Sequence, residues 1–253
     1  MSTLNRNEAM NPMDNLPEGQ PVHMNPFQKL VAMVTAPSRA AAAIRTKPDV
    51  LLPIVLLVLA SVAPFLLNFQ AYKDSVLSAM SMQAGTSGMS TEQMTALANT
   101  SAYSGLAAAP VMVLIVWLLG ALILFGAVRL VKGECRYSHM LSLSGYAAVF
   151  SLLSGLLTAV VGLVTGNGFM ATPLTSLPAL VPNLPAGFVA GAASGIELFG
   201  IWSVIVQGIG VSVIAGIDRK KAYAVVGVLY ALGLLFAGAM AGIGTALASA
   251  FGG

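Results

Sequence analysis

Five long stretches of this chain contain no charged side chain, and each is long enough to cross a membrane. They are Val50–Tyr72, Gly105–Val128, Met140–Val164, Leu198–Ile217 and Ala222–Gly253. About 20 apolar residues in a helix cover the roughly 30 Å of hydrocarbon in a bilayer. In lipid such a segment must satisfy its own backbone hydrogen bonds, which a helix does. The pattern predicts an all-α, polytopic integral membrane protein, a bundle of five transmembrane helices. We place the spans at about 50–72, 105–131, 139–164, 197–217 and 222–250.

The composition agrees with a membrane environment and argues against nucleic-acid binding. Charged residues are 8% of the chain, against about 25% in ordinary soluble domains. The net charge of +3 comes from Lys and Arg at the ends of the spans, where membrane topology explains them. Because no basic stretch is interleaved with aromatic residues, we expect no nucleic-acid partner.

The N-terminal region changes character before the first span. Residues 1–25 contain few large apolar groups and are predicted to form a flexible polar tail, followed by a membrane domain at 26–253. Apolar residues then recur at helical spacing between Pro26 and Ile44, and Pro37 should break or kink that helix. This N-terminal amphipathic helix either lies on the membrane surface beside the first span or packs on the cytoplasmic ends of the spans.

The basic residues predict the orientation of the bundle. Apart from Lys73, all of the 12 Lys and Arg residues lie before the first span, around the second connection or in the fourth. The positive-inside rule places that side in the cytoplasm. We therefore expect a cytoplasmic N-terminus and an external C-terminus, in the inner membrane if the source is bacterial.

The two outer connections are long and differ from each other. Ser90 and Gln93 form a capping-box pattern, which predicts a helix through about Ala102. The third connection, residues 165–197, contains four prolines and cannot be a single helix. We expect it to lie on the outer face of the membrane or to dip into it.

Small residues indicate where helices approach closely. Gly238 and Gly242 form a G-x-x-x-G pattern in the last span, and such patterns let backbones come together in a membrane. We favour a contact within the monomer over a dimer seam, because a five-helix bundle already needs such surfaces.

Three residues in or beside the spans are candidates for an intramembrane path. Pro64 should kink the first span and free a carbonyl group. Gln207 lies near the centre of the fourth span and should hydrogen-bond to another helix. Glu197 lies at the outer mouth of that span. Each also has a purely structural interpretation: a packing kink, an interhelical bond and an interfacial carboxylate in water, respectively.

Signatures of catalysis, cofactor binding and metal binding are absent from the sequence. It contains no nucleophile elbow, zinc-protease or phosphate-loop pattern. One Cys and two distant His residues argue against a structural zinc site. Lys132 and Arg136 could lower the pKa of Cys135, although an unused thiol is the simpler interpretation. We predict that the protein is not an enzyme and has no cofactor.

Several segments resemble the bacterial branch of the Yip (Ypt-interacting protein) family. They are Lys132–Ser138, Leu141 to Gly145-Tyr146-Ala147-Ala148, Ile201-Trp202-Ser203, Asp218–Ala222 and the opening Pro26–Pro53. The resemblance implies a five-span bundle with a cytoplasmic N-terminus. Eukaryotic members bind small GTPases and one another in membrane traffic. Their Asp-Leu-Tyr-Gly-Pro segment reads Asp49-Val50-Leu51-Leu52-Pro53 in this chain, so that role does not transfer.

These observations lead to two hypotheses. The first is a non-enzymatic scaffold or adaptor that contacts membrane lipids, other membrane proteins or itself through its cytoplasmic face. The candidate contact residues are Lys132, Arg136, Arg219, Lys220 and Lys221. The alternative is a transporter or channel for a small solute or lipid, with Pro64, Gln207 and Glu197 along its path.

Overall fold

A computed structural model describes residues 22–83, 90–166, 172–181 and 183–251, and its regular elements are α-helices. The predicted all-α fold is confirmed, while most of the predicted tail at 1–25 lies outside the described residues. In chain order the helices are α1 (Pro26–Thr35), α2 (Pro37–Thr46), α3 (Leu51–Leu67), α4 (Phe69–Gln83), α5 (Thr91–Leu130), α6 (Tyr137–Thr165), α7 (Leu177–Leu180), α8 (Phe188–Ser194), α9 (Leu198–Ala215) and α10 (Arg219–Phe251).

The prediction of a polytopic membrane protein is confirmed. Four of the described helices, α5, α6, α9 and α10, are long and apolar enough to cross a membrane. A fifth span results if α3 and the beginning of α4 are counted together, although they meet at a bend of 78°. We call the end of the bundle that carries α1 and α2 the proximal end, and the opposite end the distal end.

The first span bends sharply at Asn68, four residues after Pro64, the position at which the sequence predicts a kink. Helix α3 continues through Pro64 to Leu67. The buried Asn68 side chain then donates a hydrogen bond of 3.0 Å to the carbonyl oxygen of Ala159 in α6. A buried amide needs such a partner, and this one is on a neighbouring helix. The span predicted at about 50–72 therefore contains a sharp bend after Leu67.

The second span is part of a much longer helix than predicted. The capping box is confirmed, because Ser90 Oγ accepts from Gln93 N and Gln93 Oε1 accepts from Ser90 N. The helix does not end near Ala102 but continues to Leu130. Its 40 residues extend over about 60 Å, roughly twice the hydrocarbon thickness. Helix α4 packs beside the distal part of α5, where the rings of Phe69 and Tyr103 are 5.1 Å apart.

The N-terminal amphipathic segment is two helices that pack on the bundle. Asn25 caps α1 with a bond of 2.8 Å from Gln28 N, and Pro37 begins α2, so the predicted break is confirmed. Helix α2 packs against α9 and α6, and three of its four alanines and Ile44 are buried. Of the two predicted placements, the structure has the one packed on the proximal ends of the spans.

The third connection contributes two short helices, α7 and α8, to the distal end. Helix α8 packs against α10, and a Cβ atom added at Gly238 would lie 2.8 Å from the carbonyl oxygen of Phe188. The small residues of α10 thus make the predicted contact within the monomer. Their partner is this short helix and not another span.

Helix α6 lies at the centre of the bundle and meets α3 at a glycine. A Cβ atom added at Gly145 would lie 2.5 Å from Pro53 Cβ and 3.0 Å from Trp117 Cζ2. Such distances are too short for any side chain without movement of the neighbours. Gly145 therefore sets how closely α3 and α5 approach α6.

We expect Gly145→Ala to destabilise the protein by about 1–3 kcal/mol, because the added methyl group overpacks this contact. Thermal unfolding in detergent should show a lower Tm. Gly126→Ala is the matched control, since nothing lies within 4 Å of an added Cβ there and Ala is the better helix former. A Gly145→Ala variant as stable as the wild type would contradict this packing.

Candidate functional site

A buried ion pair joins α1 to the segment between α2 and α3. Lys29 of α1 is 1% exposed, and its ammonium group pairs with the carboxylate of Asp49. The same ammonium donates to the carbonyl oxygen of Lys47 at 2.5 Å. The other carboxylate oxygen of Asp49 accepts a hydrogen bond from the hydroxyl of Tyr146 in α6. One carboxylate therefore connects three segments at the proximal end.

The surrounding packing holds these groups in place. Tyr146 is fully buried beside Gly145, whose contact with Pro53 fixes the beginning of α3. Arg45 of α2 donates to the carbonyl oxygen of Val213 in α9 at 3.3 Å. Because a buried charge is costly without a partner, the position of α1 depends on the position of Asp49.

Sequence reasoning did not identify this network. Lys29 was counted only among the basic residues before the first span, and nothing in the sequence indicated that its side chain is buried. A signal was available in two segments that resemble the Yip family, Asp49–Pro53 and Gly145–Ala148. The structure shows that these segments contact each other through Asp49 with Tyr146 and Pro53 with Gly145.

The five predicted basic contact residues lie at the proximal end, two on the α5–α6 connection and three in the first turn of α10. Glu134 N donates to the carbonyl oxygen of Ala215 at 3.0 Å, which ties the α5–α6 connection to α9. Helix α10 begins at Arg219, four residues after α9 ends. We call these residues the proximal basic face. Its members are Lys132, Arg136, Lys220 and Lys221, which are exposed, and Arg219, which is half-buried.

Two of the three predicted path residues, Pro64 and Glu197, line one cleft in the distal half of the bundle. Its volume is about 220 Å³, and α3 and α6 form its walls. The Ser154 hydroxyl donates to a carboxylate oxygen of Glu197 at 2.6 Å. Glu197 is half-buried, and its carboxylate is bonded to α6 through this hydroxyl.

Gln207 lies in a different place. Its amide nitrogen donates to Ser203 Oγ at 3.0 Å. Ser203 belongs to the same helix, whereas the sequence predicted a partner on another helix. It lines a separate cleft of about 240 Å³ between α5 and α10. The two clefts share no lining residue, so the structure does not bring the three path residues together.

The environment of Cys135 favours a protonated thiol. Burial raises the pKa of Cys135, and the positive charge of Arg129 lowers it to a smaller extent. The lowering expected from Lys132 and Arg136 does not prevail. This arrangement agrees with an unused thiol.

The chain was compared with known proteins. A family model described as Yip1 domain matches residues 31–240. Membrane protein YknW of Bacillus subtilis (strain 168) is 28% identical over 208 residues, which cover 82% of this chain and 87% of that protein. No solved structure matches the chain.

We expect Asp49→Asn to destabilise the protein by about 3 kcal/mol, because it leaves the buried Lys29 charge without its partner. The double variant Lys29→Met with Asp49→Asn should recover part of that loss. Asp74→Asn, at an exposed position of α4, serves as the control. Equal Tm values for Asp49→Asn and Asp74→Asn in detergent would show that the ion pair does not hold α1.

Thiol labelling can test the environment of Cys135, the single cysteine of the chain. Because the thiolate is the reactive form, a raised pKa predicts slower reaction with N-ethylmaleimide at pH 7 than a free thiol shows. The rate should rise as the pH approaches and passes 9. The protein unfolded in sodium dodecyl sulfate is the control. A native rate that matches glutathione at pH 7 would contradict the prediction.

Proposed function

Because the chain belongs to the Yip1 domain family and is a multi-pass membrane protein, we propose that it is a non-enzymatic scaffold or adaptor. In this proposal the proximal basic face contacts anionic lipid headgroups. The same face also contacts other membrane proteins or a second copy of the chain. The observation that carries the proposal is the collection of five basic side chains on the α5–α6 connection and the first turn of α10, both beside the end of α9.

Rigidity supports a role as a scaffold. The α5–α6 connection is held by the bond from Glu134 to Ala215 and by Gly133, where an added Cβ atom would lie 2.6 Å from Val128 Cγ1. Lys132 adopts a φ of 64°, which few residues other than glycine tolerate. These contacts hold the connection against α9 and α5, which supports a fixed arrangement of its charges.

The charge balance supports anionic lipids as the ligand. The N–H group of Lys220 donates to Asp218 Oδ1 at 2.8 Å, so this carboxylate caps the beginning of α10 and leaves the lysine ammonium groups exposed. Lys and Arg near a membrane surface each contribute about 1 kcal/mol of attraction to anionic lipid. The positive-inside rule places this face beside the cytoplasmic leaflet, where such lipids lie.

The central test is the triple variant Arg219→Gln, Lys220→Gln and Lys221→Gln. In nanodiscs that contain phosphatidylglycerol and phosphatidylcholine, native mass spectrometry should show phosphatidylglycerol retained by the wild type. The triple variant should lose at least about tenfold of that preference, since up to three attractions of about 1 kcal/mol are removed. Proteins that co-purify from the native membrane should be reduced in parallel.

Lys73→Gln is the control, because Lys73 is the basic residue at the distal end among the described residues. It should leave phosphatidylglycerol retention unchanged. If the triple variant retains phosphatidylglycerol and its co-purifying proteins as the wild type does, and its topology is also unchanged, the proposed role of this face is wrong.

A further inference from the structure

The distal cleft contains a carboxylate whose position is fixed by backbone bonds. Residues Ser176 and Glu197 form an antiparallel bridge, with Leu177 N bonded to the carbonyl oxygen of Ile196 at 2.8 Å and Leu198 N bonded to that of Thr175 at 3.2 Å. These bonds tie the loop before α7 to the beginning of α9. Glu197 is therefore held at the cleft by structure on both sides of it.

No cation neutralises this carboxylate within the part of the chain that the structure describes. The ion pair among the described residues joins Lys29 and Asp49, which lie at the opposite, proximal end. A carboxylate has about four lone-pair sites, and the structure gives Glu197 one side-chain donor, the hydroxyl of Ser154, which is 4% exposed. The cleft thus presents a half-buried negative charge with acceptor capacity left over.

The other polar groups of the cleft also offer acceptors. Thr158 Oγ1 accepts from Leu174 N at 3.2 Å and, as a hydroxyl, keeps a second lone pair. Asn68 uses its amide N–H for the bond to Ala159. Ser151 contributes an exposed hydroxyl to the lining.

We propose that this cleft binds a primary ammonium group, with Glu197 as its counter-ion. An ammonium group supplies a positive charge and three N–H donors, which match one carboxylate and the hydroxyl acceptors around it. Charge-assisted hydrogen bonds of this kind are about twice as strong as neutral ones. The proposal concerns the distal end and does not rest on the role of the proximal basic face.

The lining disfavours other cations. A quaternary ammonium ion has no N–H donor and is recognised by several aromatic faces, whereas Phe65 is the single aromatic residue among the described residues that line this cleft. Calcium takes six to eight oxygen ligands, usually several of them carboxylates. Among the described residues, no group of three His, Cys, Asp or Glu side chains is placed to hold a metal ion.

The size of the cleft limits the ligand to a small group. Its volume of about 220 Å³ is below the roughly 300–1,000 Å³ of sites for drug-sized molecules. An aminoethyl group fits this limit, and it has two sources: the headgroup of phosphatidylethanolamine or a free small amine.

The test uses the full chain in nanodiscs of equimolar phosphatidylethanolamine and phosphatidylcholine. Native mass spectrometry measures which lipid stays bound. In parallel, saturation-transfer NMR with ethanolamine and with choline, in nanodiscs of phosphatidylcholine alone, measures binding of the free amine. We expect a preference of about tenfold for the primary amine in one of the two arms, and the arm that shows it identifies the source.

Three variants make the result specific. Glu197→Gln removes the charge and should abolish the preference. Ser151→Leu fills the cleft from an exposed position and leaves Glu197 intact. It should also abolish the preference, so the test does not rely on a single variant that could fail to fold. Glu92→Gln, an exposed carboxylate at the beginning of α5, should change nothing.

The proposal is overturned by either of two outcomes. The first is equal retention of both lipids together with equal signals for ethanolamine and choline. The second is a preference for the primary amine that survives in both Glu197→Gln and Ser151→Leu. Phosphatidylglycerol retention at the proximal basic face is a separate measurement, so failure of one proposal is distinguishable from failure of the other.

Discussion

The arrangement of the proximal end depends on the carboxylate of Asp49. It is bonded to Lys29 of α1 and to Tyr146 of α6, and it lies directly before the first residues of α3. A buried lysine is tolerated only with such a partner. Two helices as short as α1 and α2 are only marginally stable in isolation. The ion pair therefore helps to hold them as a layer over the ends of the spans.

This constraint gives the two ends of the bundle different characters. At the proximal end the charges of Lys29 and Asp49 are consumed internally, while those of the proximal basic face stay exposed. At the distal end the one half-buried carboxylate, Glu197, has a hydroxyl partner and no cation among the described residues. Helix α6 connects both ends, because Tyr146 and Ser154 lie on it about 12 Å apart along its axis. A rearrangement at either end would therefore involve α6, which also supports the other end.

The sequence predicted the fold class and the close contacts of the small residues because lipid leaves few alternatives to helices. It did not predict the features that depend on partners far apart in the chain. The bend at Asn68 coincides with a hydrogen bond to a carbonyl group of α6, 91 residues away, and the residues around Asn68 in the sequence do not reveal that partner. Lys29 looked like a surface residue, since nothing in its neighbourhood shows that Asp49 lies opposite. Of the three candidate path residues, Pro64 and Glu197 line one cleft, whereas Gln207 is bonded to Ser203 of its own helix and lines another.

Hydrogen–deuterium exchange of the full chain in nanodiscs, with and without Asp49→Asn, tests the central claim most directly. The ion pair predicts that amides of residues 26–46 are protected in the wild type and exchange much faster in the variant. Amides of α6 around Ser154 should keep their protection in both. Exchange of residues 26–46 that is already fast in the wild type, or equal in both proteins, would show that Asp49 does not hold the proximal layer.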